Sequence, residues 1–319
     1  MPSYDTSARK QLYDTQGYVV IPDLISPSLL PELEEACART IAKTREGTWP
    51  HRRTVGRQFP PYDDANPDSW GVQHVMHPEL GERAFARWYT SDELVGVVCE
   101  LMACGEDDLQ MGAPCSHTTY RDLDTEVLTE GVQPPTELFN ILINPTAHSF
   151  ALRWHRDDVR ETATEDEERE ALGVWHHGVQ WNTALRKDTC LYIVPGSHKI
   201  PRTPGQRALS CTLDAPVDPL DMPGAIRVTL QPGETVFYNN NILHCATYDE
   251  HEERITLHAC MGEVRGGPGR ARNILQHGLG WMKEDRFKET LDERGRKMLE
   301  RIVRLQESVG KVGYSLANE

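Results

Sequence analysis

The chain has 319 residues, of which 38% are hydrophobic and 26% charged, and a formal net charge of −15. These fractions are ordinary for a globular protein, and no low-complexity segment is present. The acidic residues are scattered and no dense basic stripe offsets them, so neither nucleic acid nor an anionic membrane surface is an expected partner.

Targeting and membrane-spanning signals are not found in the sequence. The start, MPSYDTSARKQLYDTQG, lacks the apolar core of a signal peptide, and no apolar run is long enough to cross a bilayer. The eight cysteines form no C-x-x-C pair and no regular framework, which favours reduced packing residues over disulfides or structural zinc. We therefore expect a cytoplasmic protein.

The sequence predicts a single domain, because no Gly/Ser/Pro-rich linker divides it and no repeat of fixed period is present. A helix from Ser7 to Gln16 is followed by a strand, Tyr18–Ile21, and Ser26 with Pro27 is typical of the start of a second helix. Apolar residues recur on one face of that helix at Leu29, Leu33, Cys37 and Ile41.

Residues 44–78 lack a sustained period, which predicts a long loop. A capping box at Thr90–Glu93 precedes another helix. Short strands separated by turn signals are typical of an antiparallel sandwich or barrel. They are predicted at residues 138–144, 150–157, 178–185, 190–194, 226–230, 235–238, 241–246 and 254–261. We expect the acidic run 157–173 to be an exposed insertion, and 283–305 to be a helix for packing or for homodimer formation.

His155 and Asp157 lie two residues apart at the end of an apolar, strand-like run. Side chains two apart in a strand share a face, so both can reach one metal ion. A histidine nitrogen and a carboxylate oxygen are two of the three ligands of the two-histidine, one-carboxylate triad that holds Fe(II). With thirteen histidines in the chain, the pair alone proves little.

Two other His-x-Glu pairs lack a strand signal. His77 and Glu79 enclose a proline in a polar stretch, while His251 and Glu253 lie in the charged run YDEHEER, which predicts a turn. Both pairs are therefore assigned to loops. Of the three pairs, His155 and Asp157 are the one that is followed by suitable partner residues later in the sequence.

His244 follows 89 residues after His155, and Arg254 and Thr256 lie beyond it. On a strand Arg254 and Thr256 share a face, and a guanidinium beside a hydroxyl is suited to hold a carboxylate. A metal triad together with such a clamp implies a chelating cosubstrate acid.

In these motifs the chain resembles the phytanoyl-CoA dioxygenase-like family of Fe(II)/2-oxoglutarate-dependent oxygenases. The resemblance rests on the N-terminal helix, the GYVVI strand and the LLPELEEA helix. It rests further on WHRD at Trp154–Asp157, on LYIVPGSHK at Leu191–Lys199, and on His-x9-Arg-x-Thr at His244–Thr256. It covers about residues 13–262, and the order of the motifs is specific to the family.

The resemblance implies a mainly β fold with flanking helices and a double-stranded β-helix (jelly roll, cupin-like) core. It implies Fe(II) on His155, Asp157 and His244, and 2-oxoglutarate with its far carboxylate on Arg254, supported by Thr256. With O₂, the acid yields succinate and CO₂ while a C–H bond of a small organic substrate is oxidised. We place the core at 137–262, after a helical part with a loop (1–136) and before a C-terminal loop and helix (263–319).

One position departs from the pattern of several relatives, which carry a glutamine three residues before the first metal histidine. Here that position is Leu152, so a second anchor for 2-oxoglutarate must come from elsewhere. Trp181, on the next strand, is the candidate.

Irregular segments at 44–78, 158–177 and 262–280 are expected to select the substrate. The candidate substrate-binding residues are Trp175 in the second segment and Arg265, Arg270 and Arg272 in the third, where arginines could meet an anionic or carbonyl-bearing group. His198 is expected to be a hydrogen-bonded turn residue rather than a ligand.

Three alternatives remain. The substrate could be an acyl-CoA ester, with either Arg52, Arg53 and Arg57 or Arg265, Arg270 and Arg272 at the entrance, although such clusters are usually solvated surface. The same ligands could hold zinc in a cupin-like hydrolase or isomerase. The barrel could also be a non-catalytic binding protein. The arginine–threonine clamp and the intact triad favour the oxygenase.

Overall fold

The computed structural model of the chain describes residues 6–55, 68–112, 138–157, 159–173, 178–266 and 279–309. The helices are α1 (Thr6–Gln16), α2 (Leu30–Arg45), α3 (Arg83–Tyr89), α4 (Asp92–Met102), α5 (Glu165–Gly173), α6 (Pro204–Ser210), α7 (Asp285–Lys288) and α8 (Glu293–Val309). Within the described residues, every helix is too short or too polar to span a membrane.

The strands are β1 (Tyr18–Ile21), β2 (Arg52–Thr54), β3 (Ser69–Val72), β4 (Leu109–Met111), β5 (Phe139–Ile143), β6 (Phe150–Ala151), β7 (Gly178–Ala184), β8 (Leu191–Ile193), β9 (Ile226–Arg227), β10 (Thr235–Tyr238), β11 (His244–Tyr248) and β12 (Ile255–Glu263). They form two antiparallel sheets. The major sheet has the order β1-β10-β7-β12-β5-β3-β2, and β4 also pairs with β12. The minor sheet has the order β6-β11-β8-β9.

Side chains along each strand of the major sheet alternate between two faces. On the outer face, Trp181 and Phe237 join a core cluster with apolar residues of α2, α3 and α4. On the inner face, Leu142 of β5 packs against Ala246 and Tyr248 of β11 in the minor sheet. The two sheets therefore enclose a barrel interior, which confirms the predicted jelly roll.

The register of the major sheet aligns inner-face side chains in rows. Asn140 of β5, His258 of β12 and Asn182 of β7 form one row. Two residues further along β12, Cys260 lies opposite Gln180 of β7. These rows form a polar floor opposite the minor sheet.

The N-terminal part supplies the predicted strand β1 and three strands that were not predicted, β2 to β4. β1 pairs with β10, and β2 and β3 pair with each other, with β3 continuing onto β5. The loop prediction for 44–78 is therefore wrong at Arg52–Thr54 and Ser69–Val72. Strands of three or four residues are too short to show a period, and pairing with the sheet defines them.

The predicted helix 283–305 is interrupted between α7 and α8. Asp292 Oδ1 accepts a 2.7 Å hydrogen bond from the Gly295 backbone N–H, so it satisfies a free donor at the start of α8. Phe287 of α7 and Met298 and Ile302 of α8 are buried in the main core cluster. The packing role predicted for this segment is therefore confirmed.

Candidate metal centre

Three buried side chains converge between the two sheets. The segment after β6 runs beside β11, where the backbones of His155 and His244 exchange hydrogen bonds of 2.9 and 3.0 Å. The ligand atoms of His155, Asp157 and His244 all lie within 4.8 Å of one another. Oδ1 of Asp157 is 3.8 Å from Nε2 of His155 and 3.7 Å from Nε2 of His244. The structure thus brings the predicted triad together.

Each imidazole is oriented by a main-chain carbonyl two residues earlier. Nδ1 of His155 lies 2.8 Å from the Arg153 carbonyl oxygen, and Nδ1 of His244 lies 2.9 Å from that of Ile242. These contacts fit the tautomer in which Nδ1 donates its proton, which leaves the lone pair on Nε2. Both Nε2 atoms then face Asp157 as metal ligands.

Asp157 is also held from the inner face of the major sheet. Gln180 donates from Nε2 to Oδ2 of Asp157 at 2.6 Å. Burial raises the pKa of Asp157 to about 7, against the opposing effects of the Gln180 hydrogen bond and of the charges of His258 and Arg53. Burial likewise lowers the pKa of His244 to about 4. A divalent cation would offset the cost of burying this carboxylate.

Arg156 lies between His155 and Asp157 in the sequence, but its side chain points away from the triad. It donates to the Ser197 carbonyl at 2.6 Å, and its Nε pairs with Glu168 at 2.9 Å. Glu168 of α5 is fully buried and also pairs with Arg202 and Arg207. The prediction that the acidic run is an exposed insertion is therefore wrong at Glu168, because three arginines surround its carboxylate.

Arg254 and Thr256, the predicted clamp, have a carboxylate partner from the chain itself. Oδ2 of Asp188 lies 3.0 Å from both Nε and Nη2 of Arg254, and accepts a 2.5 Å hydrogen bond from Thr256. The buried guanidinium lies 4.7 Å from the ring centre of Tyr248. Nη1 of Arg254 is buried and has no hydrogen-bond partner among the described residues. This atom is the donor that an incoming carboxylate would meet.

Trp181 lies on the outer face of β7. Its ring centre is 6.0 Å from that of Tyr89 and 5.9 Å from that of Phe237, within the helix-covered core. Neighbouring residues of a strand point to opposite faces, and Gln180 takes the inner one. The predicted contact of Trp181 with a cosubstrate does not fit this orientation, so a second anchor has to come from the inner face.

Arg53, expected among solvated surface arginines, is buried in the barrel interior. It is 4% exposed, and its guanidinium lies 4.7 Å from the ring centre of Trp70. Its side chain runs over Gly71, where a Cβ atom would lie 3.1 Å from Arg53 Cδ. Burial raises the pKa of Asp157 and of Tyr248, and the charge of Arg53 opposes both effects. Arg53 therefore lies close enough to both Asp157 and Tyr248 for its charge to lower their pKa values.

The predicted substrate-binding residues fall only partly within the described residues. Arg265 donates to the carbonyl oxygens of Met102 at 3.1 Å and Ala103 at 3.3 Å, and it pairs with the buried Glu263. Its guanidinium is thus held at the C-terminal end of α4. Trp175, Arg270 and Arg272 lie outside the described residues.

The two rejected His-x-Glu pairs lie apart from the triad. His77 packs in an aromatic cluster with Trp281 at 4.8 Å, while Glu79 is exposed. His251 and Glu253 are both exposed in a turn. The assignment of both pairs to loops is confirmed.

Comparison with known protein families gives one decisive match. The family model described as Phytanoyl-CoA dioxygenase (PhyH) matches residues 13–248. The chain belongs to this family. The PhyH match includes all three residues of the triad, although no curated protein sequence matches the chain.

Solved structures are similar to this PhyH family member at low sequence identity. AviO1 from Streptomyces viridochromogenes Tue57 has 15% identity and a TM-score of 0.52, over 82% of this chain and 97% of that chain. EctD from S. alaskensis, solved with 2-oxoglutarate and 5-hydroxyectoine, has 14% identity and a TM-score of 0.53, over 82% and 77%. The epimerase SnoN from nogalamycin biosynthesis has 16% identity and a TM-score of 0.50, over 81% of each chain. These similarities support the jelly-roll fold.

Proposed function

We propose that this protein is an Fe(II)- and 2-oxoglutarate-dependent oxygenase that hydroxylates, or otherwise oxidises, an unactivated C–H bond of a small organic molecule. The observation on which this rests is the buried triad of His155, Asp157 and His244. It lies in the same interior as Arg254, whose Nη1 has no hydrogen-bond partner among the described residues. Membership of the PhyH family supports the same chemistry.

The donor set fits Fe(II). Two imidazole nitrogens and one carboxylate oxygen are the ligands of the facial triad, which leaves the remaining positions of the metal open. The hydrogen bonds that Nδ1 of both histidines donates, and the one that Oδ2 of Asp157 accepts, fix the three ligands before a metal binds.

The interior also fits a dicarboxylate. Nη1 of Arg254 and Nδ2 of Asn140 are buried without hydrogen-bond partners among the described residues, and both belong to the inner face. Arg53 brings a second guanidinium into the same interior. We assign the far carboxylate of 2-oxoglutarate to Arg254 and Thr256, and Arg53 replaces Trp181 as the second anchor.

When bound, iron, 2-oxoglutarate and O₂ would supply the oxidation: 2-oxoglutarate would lose CO₂ and take up one oxygen atom of O₂ to become succinate, and the other oxygen atom would be available to the substrate. The residues of the chain hold and orient these groups. Trp70, Leu142 and Leu152 form an apolar cluster between the sheets, which excludes water beside the clamp.

A small substrate of secondary metabolism fits the described residues better than an acyl-CoA ester. Three of the arginines considered for a CoA ester have contacts within the protein: Arg53 lies inside the barrel, Arg52 donates to the Thr44 carbonyl at 3.5 Å, and Arg265 is held on α4. The other three, Arg57, Arg270 and Arg272, lie outside the described residues. The relative SnoN comes from nogalamycin biosynthesis. A zinc hydrolase needs no residues that bind a cosubstrate carboxylate, and a non-catalytic binding barrel needs no metal ligands.

We propose that the enzyme acts in the cytoplasm. Its net charge of −15 argues against a nucleic-acid or anionic membrane partner. Homodimer formation through the C-terminal helix remains a prediction, and the burial of Met298 and Ile302 within the subunit supports the packing role instead.

Purification without oxygen, followed by Fe(II) binding and succinate assays, tests the proposal. The parent should bind Fe(II) and release succinate from 2-oxoglutarate, whereas His155→Ala, Asp157→Ala and His244→Ala should each lose both properties. Glu79→Ala and Glu253→Ala remove the acids of the rejected pairs and should behave like the parent. Full activity of Asp157→Ala would refute the assignment.

A further inference from the structure

The side chain of Gln110 is fully buried, and its amide forms no hydrogen bond with the part of the chain that the structure describes. It is the middle residue of β4, with 0% exposure, and neither Nε2 nor Oε1 has a partner among the described residues. An unsatisfied buried donor or acceptor costs about 1–3 kcal/mol, and a leucine at this position would avoid that cost. A buried polar side chain without a hydrogen-bond partner therefore needs a physical explanation.

The Gln110 side chain points into the barrel interior. Its neighbours Leu109 and Met111 belong to the helix-covered core cluster, so Gln110 takes the opposite face of β4. It pairs with Gly262 of β12, which follows Met261 of the same core cluster. Gly262 and Gln110 therefore both belong to the inner face.

Glycines form the rest of the row that contains Gln110. On its other side, Gly262 pairs with Gly178 of β7. The three paired positions therefore provide one side chain, that of Gln110. Its amide therefore lies beside two positions that carry no side chain.

Gln110 lies on the opposite side of the metal centre from the clamp. Along β12, Gly262 is two residues beyond Cys260, which is opposite Gln180, the residue that holds the metal carboxylate. Arg254 lies in the other direction along the same chain segment. At about 3.3 Å per residue, Gln110 is about 7 Å beyond the level of Gln180. Because the cosubstrate occupies the Arg254 side, the substrate is left with the Gln110 side.

We infer that Gln110 binds an amide group of a neutral substrate, either a lactam or an open carboxamide, and this inference rests on the proposed function. A side-chain amide presents a donor and an acceptor side by side, so its complement is a group with a carbonyl and an N–H on one side. A carboxylate could accept from Nε2 but would leave Oε1 without a donor. The adjacent acid, Glu263, lies opposite Leu109 on the outer face and pairs with Arg265.

Two small probes test this assignment. The oxygen-free Fe(II)–2-oxoglutarate protein is titrated with δ-valerolactam and with N-methyl-δ-valerolactam, which lacks the N–H. Binding is followed by the change in the Fe(II)–2-oxoglutarate charge-transfer absorption. We expect the parent to prefer the N–H lactam by roughly tenfold, in line with one hydrogen bond to a buried group. Gln110→Leu should lose this preference while still forming the absorption band.

Gln206→Leu is the matched control. Gln206 is a buried glutamine of α6 whose Nε2 donates to the Pro223 carbonyl at 3.0 Å and whose Oε1 accepts from the Thr203 N–H at 2.9 Å. Its replacement should lower the Tm and leave the lactam preference intact. Gln110→Leu should keep or raise the Tm, because it removes an unsatisfied amide.

The possible outcomes distinguish a failure of the proposed function from a failure of the role assigned to Gln110. Without a charge-transfer band in the parent, the proposed function itself fails. A band without a lactam preference in the parent, or a preference that survives in Gln110→Leu, overturns the role of Gln110. A fall in Tm equal to that of Gln206→Leu would show that Gln110 is structural, and would overturn it as well.

Discussion

Oδ2 of Asp188 lies 3.0 Å from both Nε and Nη2 of Arg254, so the clamp already holds a carboxylate of the chain itself. Although burial opposes it, the charge of Arg254 and the hydrogen bond from Thr256 keep the pKa of Asp188 below its usual value. The pair is neutral as it stands. A cosubstrate carboxylate must therefore approach through Nη1 or displace Asp188.

Asp188→Asn should separate stability from cosubstrate binding. Removal of one charge of a buried pair leaves Arg254 uncompensated, and typically costs about 3–5 kcal/mol. A bound 2-oxoglutarate would restore the charge balance, so we expect a lower Tm without 2-oxoglutarate and a larger 2-oxoglutarate-induced rise in Tm than in the parent. Thermal unfolding across a 2-oxoglutarate titration measures both.

Asp68→Asn is the control for Asp188→Asn. Asp68 is buried and accepts hydrogen bonds from the Thr146 and Ala147 backbone N–H groups at 2.9 and 2.8 Å. Its replacement should lower the Tm without enlarging the 2-oxoglutarate response. An equal response in both variants would place the cosubstrate carboxylate away from Arg254.

Arg53→Met should raise the KM for 2-oxoglutarate by roughly tenfold or more, because a charge-assisted hydrogen bond in a buried site contributes about 1.5–3 kcal/mol. The Fe(II) affinity should change much less. Arg52→Met is the adjacent control, since Arg52 is only half-buried and its Nη1 donates to the Thr44 carbonyl. Initial rates at varied 2-oxoglutarate decide the question, and parallel behaviour of the two variants would remove Arg53 from the site.

Gln180→Leu should weaken Fe(II) binding by about 10–100-fold, because residues that orient metal ligands have effects of this size. The variant removes the 2.6 Å hydrogen bond to Oδ2 of Asp157. Thr183→Val, on the outer face of the same strand, removes a hydrogen bond to Thr235 and should bind iron like the parent. Direct titration with Fe(II) under nitrogen compares them, and equal affinities would show that Asp157 needs no orientation.

The first two ligands of the metal triad could be predicted from sequence because they lie two residues apart in one short segment. The spacing of His155 and Asp157 on a strand-like run places both on one side, and His244 lies in a segment with turn signals on both sides. The order of the motifs then assigned Arg254 and Thr256, which do share a face.

Side-chain direction relative to the site could not be predicted in the same way. Whether Trp181 or Gln180 faces the interior depends on the register of β7 between β10 and β12. Arg53 looked like a surface arginine because its burial depends on Gly71, on a strand hidden within an irregular segment. Long-range pairing decides both positions.

Acid should destabilise the protein through His198. Its Nε2 lies 3.2 Å from the Asp14 carbonyl oxygen, which confirms the predicted role in a turn, and burial with the charge of Lys199 lowers the pKa of His198 from 6.5 to about 4. The unfolded chain binds the proton first, so stability is lost as the pH falls from 6.5 towards about 4.

His198→Gln should reduce this loss, which we estimate at about 1–2 kcal/mol after allowance for solvent screening. Urea unfolding of parent and variant at about pH 7 and about pH 4.5 measures the difference. Identical pH dependence in the two proteins would assign the acid sensitivity to other groups.

Glu168→Gln should disturb both the fold and the metal centre. The carboxylate of Glu168 pairs with Arg156, Arg202 and Arg207, so its neutralisation leaves buried guanidinium charge uncompensated and should cost about 3–5 kcal/mol of unfolding free energy. Because Arg156 separates His155 from Asp157 in the chain, we expect Fe(II) affinity to fall as well.

The neighbouring glutamate provides the matched comparison for Glu168→Gln. Glu167 is exposed and pairs with Arg160 in solvent, so Glu167→Gln should leave the unfolding free energy nearly unchanged and Fe(II) binding intact. Chemical denaturation of the metal-free proteins gives the first quantity, and Fe(II) titration without oxygen gives the second. If Glu168→Gln lost stability but kept the Fe(II) affinity of the parent, the arginine network would support the fold without positioning the metal ligands. If the variant kept both its stability and its Fe(II) affinity, the guanidinium groups would be satisfied without Glu168, for example by the Ser197 and Ile200 carbonyls that Arg156 already contacts.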